Sequence, residues 1–162
     1  MTDIDNRPTW HETWLTVADT IAKRSRCSRA QMGAVIVSKD NHVISTGYNG
    51  PAATWPESGP CINWCERAQG ATSLGKEYAG CPAIHAEANA LLYVDRSQSI
   101  GSTIYIVSPP CDACAKLISN SGVSRVVCRI SEADSHREPD KVIEYLRKCG
   151  IEVLIIEDKN DN

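Results

Sequence analysis

The sequence contains no apolar run approaching the roughly 20 residues that a membrane-spanning helix requires, so no membrane span is predicted. Its first residues, Met1 to Arg7, are polar and include two acids, which is atypical of a secretory signal or a transit peptide. We therefore expect a cytoplasmic protein that has no membrane partner.

A basic stripe is also missing. The formal net charge is −3, and the 17 lysines and arginines are scattered along the chain. A surface that neutralises many phosphates of a polynucleotide needs clustered cations, so no polynucleotide partner is predicted. A small anionic ligand needs only a few donors and stays compatible with this charge distribution.

The chain shows no repeat, no low-complexity segment and no evident linker. With 162 residues, 42% of them hydrophobic and 23% charged, it has the size and balance of an ordinary globular domain with a core of its own. We therefore predict a single domain that spans residues 1–162.

Cysteine is abundant, with eight residues. Eight cysteines in a secreted protein would suggest four disulfides, whereas clustered cysteines in a cytosolic protein more often bind metal or act in catalysis. Because no export signal is evident, we favour the metal interpretation.

Helices and strands are predicted to alternate along most of the chain. Such alternation indicates an α/β fold in which helices cover a sheet that contains parallel pairs. The predicted helices run from Trp10 to about Arg24, Ala86 to Asp95, Cys111 to Ser121 and Pro139 to Cys149, and the predicted strands cover Gly33–Ser38, His42–Thr46, Thr103–Val107, Arg125–Ile130 and Ile151–Ile156.

Two short motifs stand where predicted helices begin. His85-Ala86-Glu87 opens one helix, and Pro110-Cys111-Asp112-Ala113-Cys114 opens the next. A catalytic zinc takes three protein ligands and keeps one position for water, and His85, Cys111 and Cys114 supply three. Glu87 can lie beside the metal without ligating it and can transfer protons.

The combination is more specific than either motif alone. A Cys-x-x-Cys pair by itself could be a redox pair or part of a structural zinc site. The proline before Cys111, the glutamate two residues after His85 and the placement of both motifs at helix starts reproduce the signature of zinc nucleobase deaminases.

The sequence resembles the deoxycytidylate deaminases, within the cytidine deaminase-like superfamily, over nearly its whole length. The resemblance is carried by RSRCSRAQMGAVIV around Cys27, STGYNGP at 45–51, IHAEANAL at 84–91, PPCDACAKLISNSGV at 109–123 and GIEV at 150–153. The GYNGP run and the long cysteine-bearing insertion point to the dCMP branch. The resemblance implies a three-layer α-β-α fold with a mixed five-stranded sheet.

The resemblance also implies a reaction, the hydrolytic deamination of dCMP to dUMP with release of ammonia, which supplies thymidylate synthesis. Glu87 would be the proton-transferring residue. By the same analogy Asn49 would lie close to the nucleotide, and the backbone at Ala86 and Pro109 would line the base pocket. Many relatives have serine or glutamine before the Pro-Cys pair, whereas this chain has Pro109, which removes a backbone donor beside the base.

Four other cysteines fall in or before an irregular segment that includes the insertion at about 51–83. Some family members carry a second, structural zinc in this region, which implies that Cys27, Cys61, Cys65 and Cys81 form a closed Cys₄ site that braces the insertion. Two disulfides or free buried thiols are the alternatives. Cys128 and Cys149 are predicted to be small buried apolar residues instead.

The resemblance further implies a homo-oligomer, since many deoxycytidylate deaminases are hexamers, with dCTP and dTTP as effectors. Two other functions stay open. One is another deaminase of the superfamily, acting on a free nucleoside, on a base such as guanine or on tRNA. The other is a zinc-stabilised interaction module without activity.

Overall fold

The computed structural model describes residues 6–70 and 80–157. Residues 71–79 of the predicted insertion lie outside the described residues. The helices are α1 Trp10–Ala22, α2 Ala86–Leu92, α3 Arg96–Ser99, α4 Asp112–Ser119 and α5 Pro139–Lys148; the strands are β1 Gly33–Val37, β2 Val43–Tyr48, β3 Thr103–Ile106, β4 Arg125–Cys128 and β5 Glu152–Ile155; 3₁₀ turns cover Cys61–Asn63 and Glu132–Arg137.

The five strands form one mixed sheet with the order β2-β1-β3-β4-β5. Strand β1 pairs antiparallel with both β2 and β3. Strands β3, β4 and β5 run parallel to one another. The carboxyl ends of β3 and β4 therefore meet at one edge of the sheet, where open α/β folds place their sites.

Helices cover both faces of the sheet. On one face, α1 packs through Leu15 and Ala18 against Val35 and Val127. On the other face, residues of α2, α4 and α5 pack against alternate strand residues such as Ile104. The predicted three-layer α-β-α architecture with a mixed five-stranded sheet is confirmed.

Helix α1 begins as its sequence predicts. Thr9 is the N-cap residue: its side chain accepts a hydrogen bond from the Glu12 backbone N–H, and the Glu12 carboxylate accepts one from the Thr9 backbone. This capping box satisfies donors that the first turn of a helix leaves unpaired.

Most observed boundaries lie within two residues of the predicted ones, and two of the differences have an identifiable structural cause. Helix α2 ends at Leu92 instead of Asp95, because Asp95 serves as the N-cap of the short helix α3, which the prediction missed. Strand β2 continues to Tyr48 because Gly47 and Tyr48 pair with Ala34 and Gly33 of β1. Glycine has a low intrinsic preference for strands, so only its pairing across the hairpin shows that it belongs to β2.

Close contact between β2 and α2 fixes the position of the α2 N-terminus. A Cβ atom at Gly47 would lie 2.2 Å from the Ala86 carbonyl oxygen and 2.4 Å from the Ala90 nitrogen. Only glycine permits this approach of helix to strand. The residues at the start of α2 are therefore held directly against the sheet.

Throughout residues 6–70 and 80–157, each helix is too short or too polar to span a lipid bilayer.

Candidate active site

The two motifs predicted to carry chemistry lie at the starts of neighbouring helices. His85 is the N-cap residue of α2, and Cys111 is the N-cap residue of α4, which follows the carboxyl end of β3. Both residues have extended backbone dihedral angles, as N-cap residues do. Because α2 and α4 pack on the same face of the sheet, their N-termini bring the two motifs together.

The geometry of His85, Cys111 and Cys114 fits a zinc ion. His85 Nδ1 lies 3.4 Å from each of the two sulfur atoms, and all three ligand atoms lie within 4.8 Å of one another. Tetrahedral zinc with ordinary Zn–N and Zn–S bond lengths would place nitrogen and sulfur about 3.6 Å apart. Among the described residues, this is the one group of three or more His, Cys, Asp or Glu side chains at such spacing.

The electrostatics of the two thiols also favour metal binding. Hydrogen bonds from Cys114 and His85 lower the pKa of the Cys111 thiol to about 4. The Cys114 backbone N–H adds to this by donating to Cys111 Sγ at 3.5 Å. The hydrogen bond between the two thiols, together with burial, raises the pKa of Cys114, because a thiolate at Cys111 disfavours a second negative charge beside it. A divalent cation removes that conflict and stabilises both thiolates.

Glu87 is a buried carboxyl group, with 5% of its surface exposed, in the first turn of α2. Burial raises its pKa above the usual range, and the nearby Cys111 charge adds to the effect. A raised pKa brings a carboxyl group closer to the pH at which it can both accept and donate a proton. This environment suits a proton shuttle.

A cavity of about 240 Å³ opens onto these groups. His85, Glu87 and Cys111 line it, together with Ala86 and Asn49, as the resemblance implies. Pro109 is fully buried and is not among the lining residues.

The side chain of Asn49 also holds the cavity wall. Its Oδ1 accepts a hydrogen bond from Met32 N at 2.8 Å, and its Nδ2 donates to Ala30 O at 2.9 Å. One N–H of this amide is left for a further acceptor. Asn49 therefore ties the segment before β1 to the end of β2 beside the cavity.

Three arginines that were not predicted as site residues line the same cavity, namely Arg26, Arg29 and Arg67. Arg26 and Arg29 lie in the RSRCSRA run that contributes to the family resemblance, so their position in this run could have identified them. Arg67 lies in the insertion, where nothing in the sequence pointed to it. The cavity thus combines a metal-binding end with a cationic wall.

The four cysteines proposed for a second zinc also line this cavity. Burial is the main cause of the raised pKa of the Cys81 thiol. Cys65, which forms a hydrogen bond with Cys81, and the nearby Cys27 raise this pKa further. Cys61 Sγ accepts a hydrogen bond from Ser28 N at 3.0 Å. All eight cysteines are free thiols, and these four sulfur atoms do not reach ligand spacing in the structure.

The remaining two cysteines differ from each other. Cys128 is fully buried in β4, as predicted. Cys149 is exposed, so its predicted burial is wrong. It is the C-cap residue of α5 and points away from the core as the helix ends.

Comparison with known proteins places these features in a family. The sequence profile of the cytidine and deoxycytidylate deaminase zinc-binding region matches residues 8–130. The deoxycytidylate deaminase of Mycobacterium phage D29 is 45% identical over 126 residues, which cover 75% of this chain and 95% of that protein. The deoxycytidylate deaminase of Schizosaccharomyces pombe is 38% identical over 80% of this chain, but the match spans only 40% of the yeast protein.

Solved structures show the same fold. The dCMP deaminase from cyanophage S-TIM5, in complex with dCMP and dUMP, superposes with a TM-score of 0.70 at 25% identity and covers 93% of this chain and 98% of that one. RibD from Acinetobacter baumannii shares the fold with a TM-score of 0.63 at 24% identity, over 90% of this chain and 35% of RibD. The profile match, the identity with the phage D29 enzyme and the His-Cys-Cys geometry agree, and the chain belongs to the cytidine and deoxycytidylate deaminase family.

Proposed function

We propose that this protein is a zinc-dependent hydrolase that converts dCMP to dUMP and releases ammonia. The observation that carries the proposal is the convergence of His85, Cys111 and Cys114 at zinc-ligand spacing. Buried Glu87 lines the same cavity as His85 and Cys111. Relatives named deoxycytidylate deaminase support the choice of substrate. RibD shares the fold, so the fold alone does not select the substrate.

In the proposed reaction, three residues bind the metal and one transfers protons. His85, Cys111 and Cys114 would hold the zinc, which when bound activates water at neutral pH and supplies Lewis-acid chemistry. Glu87 takes one proton from the attacking water and delivers it to ring nitrogen 3 of the cytosine while the water oxygen bonds to carbon 4. It then carries the second water proton, from the new carbon-4 hydroxyl, to the exocyclic amine. The bond between carbon 4 and that amine breaks, ammonia leaves and the carbon-4 carbonyl of dUMP forms.

The arginines of the cavity wall support a phosphorylated substrate. Arg26 donates to Glu57 O at 3.2 Å, and Arg29 donates to Arg67 O at 3.1 Å. Each bond uses one of the five N–H donors of a guanidinium and ends on an uncharged carbonyl. The remaining donors and the positive charge suit a phosphate group at the mouth of the cavity.

A substrate panel tests this function. Zinc-loaded protein should release ammonia from dCMP far faster than from deoxycytidine, cytidine, dCTP or guanine. Turnover of one of the others without turnover of dCMP would refute the substrate assignment. Replacing Arg29 by Gln should raise KM for dCMP about tenfold, the order expected for one charged hydrogen bond. Arg24→Gln is the matched control, because Arg24 is exposed and absent from the cavity lining.

We propose in addition that Cys27, Cys61, Cys65 and Cys81 bind a second, structural zinc that braces the insertion of the single domain. The contact of Cys81 with Cys65 and the nearness of Cys27 support it. Binding would have to draw the sulfur atoms together. Metal analysis should find two zincs per chain, with one remaining in Cys65→Ser; a single zinc in the wild type would defeat this proposal.

We also propose that the chain assembles with copies of itself and that nucleotides regulate it. Exposed apolar side chains on α2, α4 and the turns beside them, namely Leu92, Tyr93, Ile100 and Leu117, favour an interface between copies of the chain. Activation by dCTP and inhibition by dTTP rest on the family resemblance alone, as does a hexamer. Mass measurement in solution tests the oligomeric state, and deamination rates with added dCTP or dTTP test the regulation.

The cytoplasmic location stays a prediction from the sequence.

A further inference from the structure

A buried acid lies outside the cavity and has no part in the proposed chemistry. Asp134 belongs to the 3₁₀ turn Glu132–Arg137 that follows β4, and only 7% of its surface is exposed. Ser108, which follows β3 and precedes the Pro109-Pro110-Cys111 run, is 8% exposed. A buried carboxylate is costly unless hydrogen bonds satisfy it, so its partners show what it holds together.

The Asp134 carboxylate joins two loops. One oxygen, Oδ1, accepts a hydrogen bond from Ser108 Oγ. The other, Oδ2, accepts from Ser131 N at 2.9 Å and from Ser131 Oγ at 3.0 Å. Because Ser108 follows β3 and Ser131 follows β4, the carboxylate bridges the loops after two neighbouring parallel strands.

The loop that begins at Ser108 is poor in backbone hydrogen-bond donors. Pro109 and Pro110 have no backbone N–H, so two successive positions cannot donate hydrogen bonds. Both prolines are fully buried, and the next residue is Cys111, one of the three residues at zinc-ligand spacing. A side-chain bond at Ser108 therefore replaces backbone bonds as the anchor immediately before this residue.

We propose that Ser108 and Asp134 are positioning residues that hold the Ser108–Cys111 loop so that Cys111 is set for zinc binding. The inference rests on the proposed function, because it assumes that Cys111 ligates the catalytic zinc. Neither residue lines the cavity, so we expect both to act through Cys111 and not by contact with the substrate. Removing a residue that orients a metal ligand without binding the metal itself commonly lowers metal affinity or activity about 10- to 100-fold.

The test compares two serines that donate to the same carboxylate. In zinc-loaded protein, Ser108→Ala should release zinc to a competing chelator about tenfold faster than wild type and should lower kcat more than it raises KM for dCMP. Ser131→Ala removes a hydroxyl donor from the same Asp134 but from the other loop. It should lower the thermal midpoint while leaving zinc release and kcat unchanged.

Asp134→Asn separates geometry from charge. The asparagine oxygen can still accept from Ser131, and its NH₂ group can donate to Ser108, so the bridge should persist and zinc release should stay close to wild type. Rapid zinc release in Asp134→Asn, wild-type release in Ser108→Ala, or equal effects in the two serine variants would each overturn the proposal.

The zinc-release measurement needs no substrate. If the wild-type protein held zinc but produced no ammonia from dCMP, the proposed function would fail while the difference between Ser108→Ala and Ser131→Ala could still be measured. The two failures are therefore distinguishable.

Discussion

Replacing Gly47 by Ala perturbs the contact that places the start of α2 against β2. The added Cβ would lie 2.2 Å from the Ala86 carbonyl oxygen, whereas ordinary van der Waals contact begins at 3.4 Å. Because the opposing atoms are helix backbone, no side-chain rotation relieves the clash, and α2 must shift by about 1 Å, a displacement that can cost about 100-fold in rate. His85 and Glu87, at the start of this helix, would move with it.

The expected result is a loss of both stability and activity. Overpacking of this kind typically costs about 1–3 kcal/mol in the free energy of unfolding. We therefore expect Gly47→Ala to unfold at lower urea concentration and to lower kcat/KM for dCMP by about 100-fold. Urea unfolding followed by circular dichroism and an ammonia-release assay measure the two effects on the same preparation.

Two glycines supply matched controls. At Gly33, the new Cβ would lie 2.1 Å from the Ala18 carbonyl oxygen of α1, on the face opposite the site. Gly33→Ala should lose comparable stability but little activity. At Gly50 the new Cβ would meet only the Tyr48 ring, at 3.7 Å, so Gly50→Ala should change stability little. Because Gly50 lines the cavity, this variant is a control for stability alone. Wild-type kcat/KM in Gly47→Ala, or an equal loss of kcat/KM in Gly33→Ala, would refute the reasoning.

Three further predictions concern the site and the core beneath it. Glu87→Gln should keep its zinc and its fold while kcat falls by about 10²- to 10⁴-fold, because the proton shuttle is removed; ammonia release near the wild-type rate would exclude Glu87 from that role. Removal of zinc by a chelator should lower the thermal midpoint, because a bound metal stabilises only the folded state, and the fall should be smaller in Cys111→Ser, which lacks a ligand of the catalytic zinc. Burial raises the pKa of Cys128 from 9.0 to about 12, so the folded state binds its proton more tightly than the unfolded state does. Stability from this group is complete below pH 9 and is lost between about pH 9 and 12, on the order of 4 kcal/mol in total; urea titrations across this range should show a steeper decline in wild type than in Cys128→Ala, and equal slopes would contradict the assignment.

The predicted elements were most accurate where local chemistry sets them. Thr9 and Glu12 form the capping box that starts α1, and α5 begins at Pro139 as predicted. The predictions fail where pairing and packing override the local pattern. Strand β2 includes Gly47 and Tyr48 because they pair with β1 across the hairpin, and Cys149 is exposed at the C-terminus of α5.

Residues of the site also differ in whether the local sequence pattern identifies them. His85, Glu87, Cys111 and Cys114 could be recognised from their types and spacing, since a helix start and a two-residue spacer restrict where their side chains can point. Arg67 could not be recognised, because an arginine in an irregular segment looks like any surface cation. It becomes part of the site only when the insertion folds against the cavity.

The fold class, the family and the candidate metal ligands could be predicted from the sequence, because helix caps, strand patterns and ligand spacing are properties of neighbouring residues. The groups around these ligands are visible only in the folded chain: the arginines that line the cavity, the glycine that allows α2 to approach β2, and the Asp134 carboxylate that joins the loops after β3 and β4. Each of these depends on the approach of segments far apart in the chain, and the packing of the whole domain sets that approach.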